Sequence, residues 1–133
     1  MNSLKIEATL STPEVNFDAD NNTLSISKIS KPEDAIGFYK PVFVFIDSFV
    51  EVKVKTKLTE EFILNLDFQY FNTATAKVLY DLIIRLKELI ELGVNLIINW
   101  LYLTDDEDSL EEGEIMSDAL DIAFNFVLVE RQK

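Results

Sequence analysis

The sequence predicts an α/β fold, a small mixed sheet with helices in a single domain that spans residues 1–133. Two patterns carry this prediction. Over residues 61–70 apolar side chains alternate with polar ones, which is typical of a β-strand. From Val78 to Ile90 the apolar residues recur at helical spacing, and from Val94 to Tyr102 they alternate again. This succession predicts parallel strands joined by right-handed crossovers.

The first thirty residues favour strands. Residues 4–9 alternate and predict a short strand, and Val15 and Phe17 begin a second one. A turn cluster at residues 18–22 separates this second strand from its predicted hairpin partner at residues 24–29. We expect the hairpin to extend one edge of the sheet.

The next segment predicts a helix start. Ser30 and Glu33 have the spacing of a capping box, and Pro41 predicts a kink or a restart in the helix that follows. Residues 42–54 are rich in β-branched and aromatic side chains, which favours a strand, but their apolar positions also fit a helical stripe. The local pattern leaves this segment undecided.

The C-terminal half predicts four further features. Gly93 ends the helix that contains Val78, and the strand at residues 94–102 is apolar on much of both faces, which predicts a central position. A second capping box at Ser109 predicts a helix to about Leu120, and residues 124–128 predict a last strand. Trp100 and Tyr102 are expected in the core.

The composition excludes most common active sites. The chain has no His and no Cys, which removes thiolate nucleophiles, Ser/His triads, zinc and haem sites of the usual kind, and His as a general base. Its net charge of −12 disfavours binding to nucleic acid or to an anionic membrane. No signal pattern is present, and no apolar run approaches the roughly 18 residues of a membrane span. We expect a cytoplasmic protein.

The acidic residues between 105 and 114 lack the EF-hand spacing, so we interpret them as a solvated helix start. No glycine-rich phosphate loop is present. We therefore predict no metal, no cofactor and no catalytic residues. The alternative is a small enzyme that uses Lys77 beside Asp81.

Thr73 is the candidate functional residue, because it follows a strand and opens a helix. A phosphate there would be stabilised by unpaired N–H groups of the helix and by Lys77, one turn further on. Thr75 is the neighbouring alternative acceptor. The simpler interpretation is that Asn72 or Thr73 is only an N-cap, in which case we expect Thr73→Ala to cost about 1 kcal/mol.

Seven segments together carry a family resemblance: residues 11–18, 24–27, 32–34, 38–42, 66–73, 99–102 and 108–114. The most specific piece is Tyr70-Phe71-Asn72-Thr73. In this order along the chain, the segments resemble the SiaC family of bacterial regulatory phosphoproteins.

The resemblance implies a fold like that of anti-sigma-factor antagonists, with residues 42–54 in a helix. It implies that Thr73 is phosphorylated by a Ser/Thr protein kinase and dephosphorylated by a PP2C-type phosphatase. It also implies that the unmodified protein binds a partner such as a diguanylate cyclase, which raises cyclic-di-GMP and favours biofilm. The alternative in a different class is an adaptor that binds its partner constitutively.

Overall fold

In the computed structural model, residues 3–56 and 60–130 are described, and they form six strands and four helices. The strands are β1 (Leu4–Ile6), β2 (Glu14–Asp18), β3 (Thr23–Ser30), β4 (Glu61–Phe71), β5 (Asn95–Leu103) and β6 (Asn125–Val129). The helices are α1 (Ala35–Thr56), α2 (Thr73–Leu86), α3 (Glu88–Glu91) and α4 (Glu107–Leu120). The predicted mixed α/β fold is confirmed.

The six strands lie in one sheet in the order in which they occur along the chain. β1 pairs with β2 and β2 with β3 in antiparallel orientation, whereas the pairs β3–β4, β4–β5 and β5–β6 are parallel. The predicted edge hairpin and the predicted parallel strands are therefore confirmed. Because each crossover moves the chain by one strand in the same direction, the helices between them gather on one face of the sheet.

That covered face forms the core. The ring of Phe17 on β2 contacts those of Phe45 and Phe49 on α1, and Phe49 also contacts Phe62 on β4. The register places Phe62 beside Leu96, so β5 presents its buried residues to the same helices. The largest fully buried side chains are Trp100, Tyr39, Phe17, Phe49, Phe62, Leu24, Ile26, Ile46, Leu64, Leu66, Leu79 and Leu82.

The opposite face carries a row of polar side chains. Asn65 donates to Ser25 Oγ (3.2 Å), Asn99 donates to Asn65 Oδ1 (2.9 Å), and Asn125 donates to Asn99 Oδ1 (3.2 Å). These four residues are direct neighbours in the strand register. The row explains why polar residues alternate with apolar ones along β3, β4 and β5.

The predicted helix start at Ser30 is wrong. Ser30 is the last residue of β3 and is buried, whereas α1 begins at Ala35 and its first turn is capped by Asp34, whose Oδ1 accepts the N–H of Gly37 (3.0 Å). α1 continues through Pro41, so no restart occurs there. The undecided residues 42–54 are helical, because their buried positions recur at helical spacing against the sheet.

The predicted start of the last helix is also wrong. α4 begins at Glu107, and Asp106 caps it by accepting the N–H of Ser109 (3.0 Å). Ser109 is thus the third residue of the helix. The predicted end of α4 at about Leu120 is confirmed. The predicted single helix from Val78 to Gly93 is divided instead: α2 ends at Leu86, Lys87 separates it from α3, and Gly93, with φ of 88°, follows α3 before β5 begins. Trp100 lies in the core as expected, and Tyr102 is half-buried.

Candidate functional site

The candidate site begins where β4 ends and α2 starts. Asn72 is the N-cap of α2, and its Oδ1 accepts the N–H of Thr75 (2.9 Å). Thr73 is the first residue of the helix, and its side chain is exposed. Of the two predicted capping residues, the structure therefore selects Asn72. The Thr73 hydroxyl makes no hydrogen bond to any described residue, which leaves it accessible for chemistry.

A buried chain of hydroxyl groups holds this helix start in place. Ser30 O accepts the N–H of Asn72 (3.0 Å) and the hydroxyl of Thr75 (3.1 Å). Because the Thr75 proton is used there, the contact between Thr75 Oγ1 and Ser30 Oγ (2.9 Å) requires Ser30 to donate. Ser30 Oγ then accepts from the Tyr39 hydroxyl (2.8 Å). The end of β3 thus fixes the backbone on both sides of Thr73.

Thr73 and Thr75 differ in burial, because the hydroxyl groups that hold the helix start are all inside the protein. Ser30, Tyr39 and Thr75 are each 0% exposed. Burial raises the pKa of Tyr39 to about 12. Thr75, the alternative acceptor, has its hydroxyl buried and engaged, whereas that of Thr73 points to an open surface.

Thr73 lines an open groove of about 370 Å³ where residues of β4, α2 and α4 meet. The groove is lined by Tyr70, Phe71, Asn72, Thr73, Ala76, Tyr80, Glu112, Ile115 and Met116. A second hollow of about 230 Å³ shares Tyr70, Phe71 and Glu112 with it, and is lined further by Phe68, Gln69, Asp106, Asp108 and Ser109. The two hollows form one continuous surface, which we call the Thr73 groove.

The two ends of the Thr73 groove differ in character. At the Thr73 end, the large side chains of Tyr70 and Ile115 are 54% and 55% exposed. At the other end lie carboxylates. Partial burial raises the pKa of Glu112, and the nearby charges of Asp108, Asp106 and Glu111 raise it further. The groove is therefore apolar at one end and strongly negative at the other.

The sequence reasoning named Thr73 but missed the groove around it. The groove brings together segments up to about forty residues apart, which no local pattern shows. Two signals were available. Tyr70 continues the apolar alternation of β4 beyond the last buried residue, Phe68, and Glu112, Ile115 and Met116 have the spacing of one helical face.

Lys77 lies on α2 one turn after Thr73, and its contact with a phosphate there stays a prediction. Lys77 and Asp81 are exposed on α2, neither lines the groove, and neither forms an ion pair with a described residue. Within residues 3–56 and 60–130, no group of three or more acidic side chains is arranged to hold a metal ion. Over the same residues, no helix combines the length and the apolar character that crossing a membrane requires.

These features define a small α/β protein with an accessible hydroxyl beside a surface groove. A family model described as SiaC family regulatory phosphoprotein matches residues 6–129. The chain therefore belongs to the SiaC family. A comparison with curated proteins found no match.

Solved structures of SiaC have the same fold. SiaC of Pseudomonas aeruginosa is 24% identical to this chain, with a TM-score of 0.79 over 98% of this chain and 100% of that one. Apo-SiaC from Pseudomonas aeruginosa is 25% identical, with the same TM-score and coverage. A crystal structure of the diguanylate cyclase SiaD in complex with its activator SiaC, from the same organism, matches at 26% identity and a TM-score of 0.79 over 94% of this chain and 97% of that one.

Proposed function

We propose that this protein is a non-enzymatic signalling switch whose acceptor is Thr73. A Ser/Thr protein kinase phosphorylates Thr73, a PP2C-type phosphatase removes the phosphate, and the phosphorylation state controls binding to a signalling partner such as a diguanylate cyclase. The output is then the level of cyclic-di-GMP. The observation that carries this proposal is the exposed, unbonded hydroxyl of Thr73 at the rim of the groove.

The position tolerates a phosphate. The first turn of α2 contains no acidic residue, and the positive end of the helix dipole favours an anion there. Asn72 already caps the N–H of Thr75, so the helix does not depend on the Thr73 side chain. A phosphate adds about −1.5 to −2 charge. The fold therefore persists after modification, while the groove acquires a dianion.

The comparisons support the class of partner. The family is one of regulatory phosphoproteins, and a relative in the family is the activator of a diguanylate cyclase. That relative shares the fold over almost the whole chain. We infer by analogy that the unmodified form of this protein is the one that binds its partner.

Mass spectrometry tests the acceptor. The purified protein is incubated with ATP and each Ser/Thr kinase of its host, and the modified peptide is sequenced. We expect one phosphate on Thr73, none in Thr73→Ala, and normal incorporation in Thr75→Val, whose altered side chain is buried. Phosphate on another residue, with Thr73 unmodified, would refute the assignment.

A binding experiment tests the switch. Pull-downs compare Thr73→Ala with Thr73→Glu against the host's diguanylate cyclases. We expect capture by Thr73→Ala and weaker capture by Thr73→Glu, since a glutamate supplies only part of the charge of a phosphate. Equal affinity of the phosphorylated and unmodified proteins would instead select the constitutive adaptor. Turnover of a substrate by the purified protein that is lost in Lys77→Ala would select the enzyme.

A further inference from the structure

The Thr73 groove has the composition of a docking surface. Phe71 forms part of its wall, and its ring packs edge-on against Trp100 of the core, with 5.7 Å between the ring centroids. This wall is therefore rigid, whereas Tyr70 and Ile115 project beside it with about half of their surface exposed. Exposed aromatic and aliphatic side chains next to a rigid apolar wall are typical of binding surfaces.

The carboxylates at the other end have no basic partner among the described residues. The ion pairs among the described residues join Lys28 to Glu14, Lys55 to Glu51 and Arg85 to Asp47, and none of these six residues lines the groove. Asp106, Asp108 and Glu112 form none, although they lie close enough for their charges to raise the pKa of Glu112. Positive charges supplied by a partner would relieve this repulsion.

We propose that the Thr73 groove docks an amphipathic helix that carries apolar residues at one end and Lys or Arg at the other. The helices α2 and α4 flank the groove, and a third helix can pack between two by the usual interlocking of side chains. Its apolar residues lie on Tyr70 and Ile115, and its basic residues pair with Asp106, Asp108 and Glu112. This inference rests on the proposed function and gives the chemistry of the partner.

The arrangement also explains how a phosphate prevents docking. Thr73 lines the apolar end of the groove, whereas Asp106 and Asp108 line only the other end. A phosphate on Thr73 therefore lies beneath the apolar residues of the partner, away from the basic residues that pair with Asp106 and Asp108. Covering that dianion removes its water without supplying a counter-charge, which opposes binding.

Designed peptides test the groove directly. The probe is a fluorescent 20-residue helical peptide with Leu on one face and Lys at its C-terminal end, and its affinity for the full chain is measured by anisotropy at several salt concentrations. A second peptide has Glu in place of Lys. We expect only the Lys peptide to bind. Its affinity at low salt should fall about tenfold in the triple variant, which combines Asp106→Asn, Asp108→Asn and Glu112→Gln. The change Asp106→Asn retains an oxygen that can cap α4.

Matched variants separate the groove from general acidity. Asp20→Asn, Asp118→Asn and Glu91→Gln remove the same charge from exposed positions outside the groove, so they should change binding little. Likewise Ile115→Ser should weaken binding and Ile84→Ser should not, although both isoleucines are 55% exposed. Three outcomes would overturn the proposal. They are an equal loss of peptide affinity in both carboxylate sets, an equal loss in both isoleucine variants, or no binding by the Lys peptide.

The same assay distinguishes failure of the groove from failure of the switch. If the groove variants lose the peptide but phosphorylated and unmodified proteins bind it equally, the docking site is correct and control by Thr73 is wrong. If phosphorylation abolishes capture of the cyclase but the groove variants bind both the cyclase and the peptide normally, the switch is correct and this docking site is wrong.

Discussion

At the scale of single residues, the arrangement of Asn72, Thr73 and Thr75 divides three tasks among three side chains. Asn72 caps the helix, Thr75 anchors it to Ser30, and Thr73 has no structural partner among the described residues. A reactive hydroxyl that supports no other group can be modified without loss of the fold. This separation is what a reversible modification requires.

The first prediction concerns Thr73 and its neighbour. We expect Thr73→Ala to change the free energy of unfolding by less than about 0.5 kcal/mol, because its side chain supports nothing. This replaces the value of about 1 kcal/mol expected from the sequence, which assumed that Thr73 could be the cap. Asn72→Ala should instead cost about 1 kcal/mol, and Asn72→Asp less, because Asp retains a capping oxygen. Urea denaturation measures all three; a larger loss for Thr73→Ala than for Asn72→Ala would contradict the structure.

The second prediction concerns Thr75. We expect Thr75→Val, which keeps the shape of the side chain, to cost about 1–3 kcal/mol, because the buried hydroxyl of Ser30 loses its acceptor. Thermal and urea unfolding measure the loss, and Thr12→Val, at a partly exposed hydroxyl near the N-terminus, is the control for the substitution type. A loss no larger than that of the control would show that the hydroxyl chain contributes nothing to stability.

At the scale of elements, the two misplaced helix starts have one physical cause. Ser30 and Ser109 each lie three residues before a glutamate, which is the spacing of a capping box. A capping box, however, takes into account only hydrogen bonds between neighbours along the chain. Ser30 is drawn into β3 by its pairing with Phe71, and Asp106 provides an earlier cap than Ser109. By contrast, β4 and the helical character of α2 were predicted correctly, because their pattern reflects burial along the element. The break at Lys87 between α2 and α3 was not predicted.

The third prediction concerns the packing of α4, which carries one wall of the groove. A Cβ atom at Gly113 would lie 2.8 Å from two ring atoms of Trp100 and 2.9 Å from Phe126 Cε1. Both rings belong to the sheet, and Trp100 is only 1% exposed and cannot move aside. We therefore expect Gly113→Ala to cost about 1–3 kcal/mol despite the better helix propensity of alanine.

Calorimetry would measure this loss, and the difference between Glu114→Gly and Glu114→Ala, at the exposed neighbouring position, is the control for the change in propensity. Gly113→Ala should also weaken docking, because α4 must shift away from the sheet and carry Ile115 with it. A Gly113→Ala protein that is more stable than the original would mean that α4 does not pack closely on Trp100.

At the scale of the whole molecule, the sheet could be predicted and the groove could not. The order of elements and the parallel pairing follow from periodicity and from the rule for crossovers, which use only neighbours along the chain. The groove depends on how α4 lies beside α2, and that depends on the close approach of Gly113 on α4 to Trp100 on β5. A sequence pattern does not contain such distances. Thr73 could be predicted because it lies where the strand-like alternation of apolar residues ends and the helical spacing begins.

The charges at the acidic end of the groove lower stability at neutral pH, and this gives the fourth prediction. The pKa of Glu112 is raised above its ordinary value, first by partial burial and then by the charges of Asp108, Asp106 and Glu111. The folded protein therefore holds the proton of Glu112 more tightly than the unfolded chain does. Stability is lost as the pH rises from the ordinary glutamate range through this raised pKa, and the loss is complete at neutral pH.

Glu112→Gln should accordingly raise the free energy of unfolding near neutral pH. We expect a gain below about 1 kcal/mol, because most of the side chain is exposed and its charge is screened. The gain should shrink as the pH falls below the ordinary glutamate range, where the carboxyl group is neutral in both states. Urea denaturation across this pH range, with Glu114→Gln as the control on the same helix, measures the difference between the two variants. A gain for Glu112→Gln that persists in acid would show that shape rather than charge is responsible, and would remove the electrostatic reason for a basic partner.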